Sequence, residues 1–226
     1  MGGAGLSLGT IDRIQPVSLA IAQRLPLLEP LHSLLPSGLQ RGSTAGVAGA
    51  GATSLACALL AGPMQAGSWA AVVGVPTLGL VAAENLGVPL HQLVMVDQPE
   101  RRRWGTVVAA LVDAFELVLI GPVRPSARDA RRIEARSRER GAVVVSLGNR
   151  WPAAVDVALT VEGCWEGLGQ GHGVLQGRRV TVTATGRRGS TRPRVSELWL
   201  PDATGAVAVV KHPRLELVPE PRRLAR

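Results

Sequence analysis

The sequence predicts an α/β domain whose mostly parallel sheet is covered by helices, with an antiparallel extension at its C-terminal end. Three observations carry that expectation. Predominantly apolar runs such as 115–120 and 142–147 alternate with helical stretches, the pattern of strands buried on both faces by crossover helices. From Val155 onward the hydrophobic period changes to two, as in antiparallel strands with one solvated face. The segment Gly46-Val47-Ala48-Gly49-Ala50-Gly51-Ala52-Thr53 has the spacing of a phosphate-binding loop between a strand and a helix, G-x-x-x-x-G-K-[ST], with alanine in place of lysine.

Each element follows from local pattern. Residues 11–35 place Ile14, Val17, Ile21, Leu25 and Leu28 at loose helical spacing, interrupted by Pro16, Pro26 and Pro30. They predict an N-terminal helical arm, residues 1–35, outside the core. A turn-rich approach, Leu35–Gly42, leads to a strand near 43–48, the glycine loop, and a helix from about Thr53 to Leu60, stopped by Gly62-Pro63. A strand running through Ala48 would shorten the loop to Gly49–Thr53. Residues 68–74 read as a buried strand, 78–86 as a helix, 93–96 as a short strand, 103–113 as a helix and 115–120 as a buried strand. Ser126 caps an arginine-rich helix with Ala127, Ala130 and Ile133 inward, and Gly141 ends it. A strand follows at 142–147. Period-two strands at 155–161, 179–184 and 195–200 complete the domain, the last two joined by a tip at 186–190. The core therefore spans 36–210, and residues 211–226, rich in proline and arginine, form a flexible tail.

Composition narrows the function. The chain has 226 residues and a net charge of +8, with one lysine, Lys211, so nearly all its positive charge is arginine. That suits contacts with phosphates or acidic protein surfaces. With no Tyr, one Phe and five Trp, it offers few stacking platforms for single-stranded bases. Two cysteines and four histidines are scattered without ligand spacing, so neither a disulfide framework, a metal site nor a cofactor is expected. The N-terminus lacks a signal pattern, and the apolar run 45–83 is broken by Gly and Pro. No membrane contact and a cytoplasmic location are expected.

In a working phosphate loop the lysine reaches the β- and γ-phosphates, the following hydroxyl binds Mg²⁺, and a carboxylate at a later strand end holds the metal. Here Thr53 remains, but Ala52 replaces the lysine, strand 115–120 ends in Gly121-Pro122, and strand 69–74 runs into Val75-Pro76-Thr77. Three charges needed for phosphoryl transfer are absent at three places. Gly46, Gly49, Gly51, Ala52 and Thr53 are accordingly the candidate phosphate site, in degenerate form.

The order of these parts resembles the RecA ATPase core. Gly38-Leu39-Gln40-Arg41-Gly42 is similar to the approach to the RecA phosphate loop, and Trp69–Val88 resembles the segment carrying the RecA catalytic glutamate, whose place Val75 takes. Val143–Arg150 resembles the strand ending in asparagine-glutamine, with Arg150 in place of the glutamine that senses nucleotide. Arg150-Trp151-Pro152-Ala153 passes almost at once into the next strand, where RecA has a long DNA-binding loop. Such a stripped chain is similar to the actinobacterial ImuA-like proteins, sometimes written ImuA-prime. The resemblance implies a RecA-like fold and a non-catalytic accessory role in the damage-inducible translesion mutasome, with an ImuB-like protein and an error-prone C-family DNA polymerase as partners. A weak NTPase using an arginine donated in trans, a DNA-binding module and a SulA-like division inhibitor are the alternatives.

Candidate contact residues complete the expectation. Arg101, Arg102 and Arg103 precede a helix N-terminus, where positive charge opposes the macrodipole and so points to an acidic partner or phosphate. Arg187 and Arg188 at the hairpin tip, and Trp199 in the last strand, are the other anchors for a partner. DNA contact should be weak and non-specific, and self-association is left open. Asp129 with Arg132 and Glu134 with Arg138 are expected to pair on a solvated helix face.

Overall fold

The computed structural model describes residues 23–169, 172–186 and 192–211. Strands and helices alternate as the apolar pattern requires. After β1 (Arg24–Leu25) and β2 (Leu39–Gln40) come β3 (Thr44–Gly49), α1 (Ala52–Gln65), β4 (Ala70–Val73), α2 (Leu80–Asn85), β5 (Leu93–Val96), α3 (Trp104–Ala114), β6 (Leu117–Ile120), α4 (Ala127–Arg140) and β7 (Val143–Leu147). Then follow β8 (Val157–Gly169), β9 (His172–Gly186), β10 (Arg194–Trp199) and β11 (Ala208–Val209). A nine-stranded sheet runs β11-β10-β9-β8-β3-β7-β6-β4-β5. Its strands from β8 to β5 are parallel, and β8 to β11 are antiparallel.

Alternation along the central strands sends side chains into two cores. Val72, Leu117, Leu119, Val143 and Val145 face a large cluster with α1, whereas Val73, Val118, Ile120 and Val144 face a smaller one with α3 and α4. α1 is buried nearly all round, from Leu55 to Met64, as a helix pressed between sheet and overlying chain must be. It does not stop before Gly62-Pro63 but runs to Gln65, because the proline falls in the last turn, where the cap N–H of Ala66 still reaches Gly62 O and Pro63 O. Ser126 caps α4 by accepting from the Asp129 N–H, and Gly141 ends the helix at φ 73. Ala130, Ile133 and Ser137 are its buried positions; Ala127 is exposed.

Residues 23–35 correct one expectation, for they are neither a helical arm nor outside the core. β1 pairs with β2, and a 3-10 turn at Glu29–Leu31 brings Leu31 and Leu34 into the main core with Leu25 and Leu27. The prolines that break helical periodicity let the chain fold back over α1, where the Leu27–Leu28 backbone lies against Gly62. The rest of the expected arm, residues 1–22, lies outside the described residues, as do the hairpin tip at 187–191 and the tail from 212.

β8 and β9 are longer than the period-two reading suggested. β3 ends at Gly49 opposite Val161, and β9 meets β10 only from Arg179 onward. Residues 162–169 of β8 and 172–178 of β9 therefore have only each other as ladder partners and form a two-stranded ribbon at the sheet's end, bulged between Glu166 and Leu168. Trp165, Leu168, Val174 and Leu175 are exposed along it. Among the described residues no helix is long and apolar enough to cross a membrane.

Candidate functional site

The carboxyl ends of the parallel strands bring the sequence-predicted positions to one edge of the sheet, where open α/β sheets bind ligands. The predicted phosphate loop is not a loop over most of its length. Gly46 and Gly49 belong to β3, which is paired on both sides, Gly46 with Ser146 of β7 and Ala158 of β8, Gly49 with Val161. Gly46 faces Val155, 3.4 Å from where a Cβ would sit. Only Ala50 and Gly51 remain to turn the chain before α1 starts at Ala52. This is the shortened form of the motif. Gly46 and Val47 lie in two ladders and Ala48 and Gly49 in the ladder with β8, so this stretch of backbone is held extended and does not curl into a phosphate loop.

The turn is clamped as well as short. Gly49 (φ 102) lies under the Val161 carbonyl, and a Cβ on Gly51 (φ 102) would stand 3.1 Å from Nη1 of Arg178. Arg178 comes from the ribbon, paired with Trp165 across β8 and β9, and its guanidinium lies 5.7 Å from the Trp165 ring centroid. Its backbone is held by Pro201 O and by the Leu200 N–H. Gly51 caps α1 without a side-chain hydrogen bond, no acid lies in the first turn, and Thr53 is exposed. A guanidinium thus stands at the positive end of a helix. The corner attracts anions electrostatically but offers them no cradle.

The strand ends that would supply carboxylates are closed. Val75, after β4, is 5 % exposed and part of the main core. Gly121, after β6, packs directly on the Gly74 carbonyl, and a side chain there would overlap it and meet Val75. An aspartate at 121 therefore requires the two strand ends to separate. Asn149 and Trp151, after β7, line a cleft of about 390 Å³ on the face of β3 opposite the main core, with Gly46 and Ala48. Among the described residues no group of three or more His, Cys, Asp or Glu is placed to hold a metal.

The remaining predicted contacts are scattered. Arg101, Arg102 and Arg103 are exposed before α3; Arg102 lies 4.0 Å from Glu100, and Arg103 is the N-cap residue of α3. Trp199 is half-buried, its ring 3.3 Å from the Cβ position of Gly177, so it packs within the sheet and offers little free face. Arg187 and Arg188 lie outside the described residues. The expected pairs on α4 are not made: Asp129 bonds Ser126, Glu134 accepts from Trp151 Nε1 at 2.7 Å, and Arg136 and Arg140 both reach Asp113 of α3. Sequence reasoning missed Trp165 and Arg178. The alternating residues of the ribbon were their one signal.

Comparison with known proteins places the chain in a family. Residues 33–153 match the model of the MT3502 N-terminal domain, a span that begins in the folded-back segment and ends before β8. The chain is 31% identical over 151 residues to the uncharacterized protein Rv3395c of Mycobacterium tuberculosis, an alignment covering 61% of this chain and 71% of that protein. With more than half of its length matched, β2 to β7 included, the chain belongs to the MT3502 N-terminal domain family.

Proposed function

We propose that this chain is a non-catalytic scaffold of RecA-like architecture in DNA-damage tolerance. In this reading it is an ImuA-like accessory of induced mutagenesis, acting with an ImuB-like protein and an error-prone C-family DNA polymerase. The observation that carries it is the closure of the strand ends: the glycine motif is absorbed into β3, Arg178 covers its turn, and Gly121 abuts Gly74 where a metal-binding carboxylate is needed. One lost electrostatic donor costs about 10²–10³ in rate, and here lysine and two carboxylates are missing together. Substituting Ala52 by lysine alone cannot restore turnover, because the carboxylate positions stay sterically closed.

The test has two parts. Purified full-length chain with MgATP, with and without DNA, should release phosphate no faster than buffer, and turnover like that of an active RecA-type ATPase refutes the non-catalytic reading. Co-expression with an ImuB-like protein should yield a complex that survives purification; failure to associate at micromolar concentrations removes the mutasome assignment.

A further inference from the structure

Away from the glycine turn, on the face covered by α3 and α4, the loops after β5, β6 and β7 enclose a cleft of about 790 Å³. Each loop contributes one arginine: Arg101, Arg124 and Arg150. All three are exposed, and among the described residues none makes an ion pair. Other arginines of this chain find carboxylates, Arg41 with Glu116 and Arg179 with Glu197. Three like charges lining one concavity disfavour each other, and one carboxylate among them does not balance three guanidiniums.

The lining indicates what would offset the imbalance. Asp129 is the one acidic residue of the lining, and its carboxylate is engaged by the Ser126 hydroxyl and pressed against Gly105 of α3. The Ser126 hydroxyl takes the Asp129 N–H, and the Asp129 carboxylate stands at the first turn of α4, where its charge disfavours a phosphate. Between the arginines the lining is stiff and mixed: Pro99, Pro122 and Pro125 fix the loops, Gln98 is polar, and Val123 and the rim of the largely buried Trp104 are apolar. A peptide with spaced carboxylates and apolar side chains uses both the arginines and the apolar part, and preset loops lower the ordering cost of binding it.

We propose that this cleft is the docking site for an acidic, apolar-interrupted segment of a partner protein, with Arg101, Arg124 and Arg150 pairing its carboxylates. The inference rests on the scaffold reading in that the ligand is a protein. The probe is a fluorescein-labelled octapeptide of six glutamates and two leucines, titrated with full-length chain and read by anisotropy. Binding should weaken about tenfold or more in R101E/R124E/R150E, since three attractions become repulsions, and should be little changed in R131E on the outer face of α4. The neutral variant R124Q/R150Q, whose residues make no ion pair, should lose part of the same affinity; it decides the matter if the triple variant melts early. Peptide affinity unaltered in both variants overturns the proposal. So does an oligothymidylate or inorganic phosphate that binds, and is released by the same substitutions, while the peptide does not bind. Phosphate release from MgATP, measured on the same preparation, keeps the two ideas apart: a parent chain that neither binds the peptide nor turns over ATP refutes the cleft assignment alone.

Discussion

Two glycines with nearly the same backbone geometry allow the clamp on the glycine turn to be measured. Gly49 has φ 102 and Gly67 has φ 100, but a methyl on Gly67 would meet nothing within 4 Å, whereas one on Gly49 would overlap the Val161 carbonyl oxygen and approach its backbone N and C to 3.0 Å. Gly67→Ala therefore reports the conformational cost alone, about 1–2 kcal/mol for a side chain at such a φ. Gly49→Ala adds a steric cost against backbone of β8, which cannot rotate away as a side chain can. Overpacking of this kind costs about 1–3 kcal/mol, and a rigid partner places it at the upper end, so the total is about 4 kcal/mol. At roughly 2–4 °C per kcal/mol for a chain of this size, Gly67→Ala should lower the melting temperature by about 2–8 °C and Gly49→Ala by about 8–16 °C. Differential scanning calorimetry and urea midpoints on both variants supply the difference. If Gly49→Ala costs no more than Gly67→Ala, β8 does not clamp β3, and a mobile phosphate loop returns to consideration.

The thiols should react unequally: burial pushes Cys57 up to about 11, against a smaller lowering by its backbone hydrogen bond, while Cys164 is exposed. At pH 8 the folded chain should release one equivalent of thionitrobenzoate from Ellman's reagent rapidly and the second only on unfolding; two rapid equivalents would contradict the burial of α1. Glu116 should give an acid-dependent stability. Burial raises its carboxyl, but hydrogen bonds from Ser68 and Arg41 and the Arg41 charge outweigh that and hold it below its ordinary value of 4.5. Its contribution is therefore present above the unfolded value and lost as pH falls through the lower folded one. With the side chain 42 % exposed, the effect is screened to about 0.5 kcal/mol: Glu116→Gln should be less stable than the parent at pH 7 and equal to it at pH 2, and a constant gap across that range would refute the coupling.

What could be read from the sequence was whatever local chemistry decides. The runs at 117–120 and 143–147 admit few other structures, and Ser126 and Gly141 mark both ends of α4. What escaped depends on partners distant in the chain. Gly46 and Gly49 have no side chains to express a strand preference, so only their ladders with β7 and β8 decide that they are strand and not loop. Pro26 and Pro30 conceal a segment whose leucines are buried by tertiary packing alone. The ribbon strands 162–169 and 172–178 are interrupted by Gly163 and Gly167 and have little core to face, so their periodicity was too weak to register, and with it went Arg178. The arginine cleft was legible only through Arg101, since Arg124 and Arg150 join it through the order of the strands.

That strand order also bears on synthesis. β3 lies between β7 and β8, Thr44 beside Val144 and Ala45 beside Val157, so a strand made early must wait for neighbours made late. At about 5–20 residues per second, the interval is on the order of 5–20 s, in which β4, β5 and β6 can already pair with one another. Throughout it α1, apolar on every side, has no finished sheet to lie on. A ribosome paused between β6 and β7 therefore presents a long greasy helix and a bare strand together. Yield in a heterologous host should depend on chaperone supply and on codon usage over residues 121–160 more than on the stability of the finished domain.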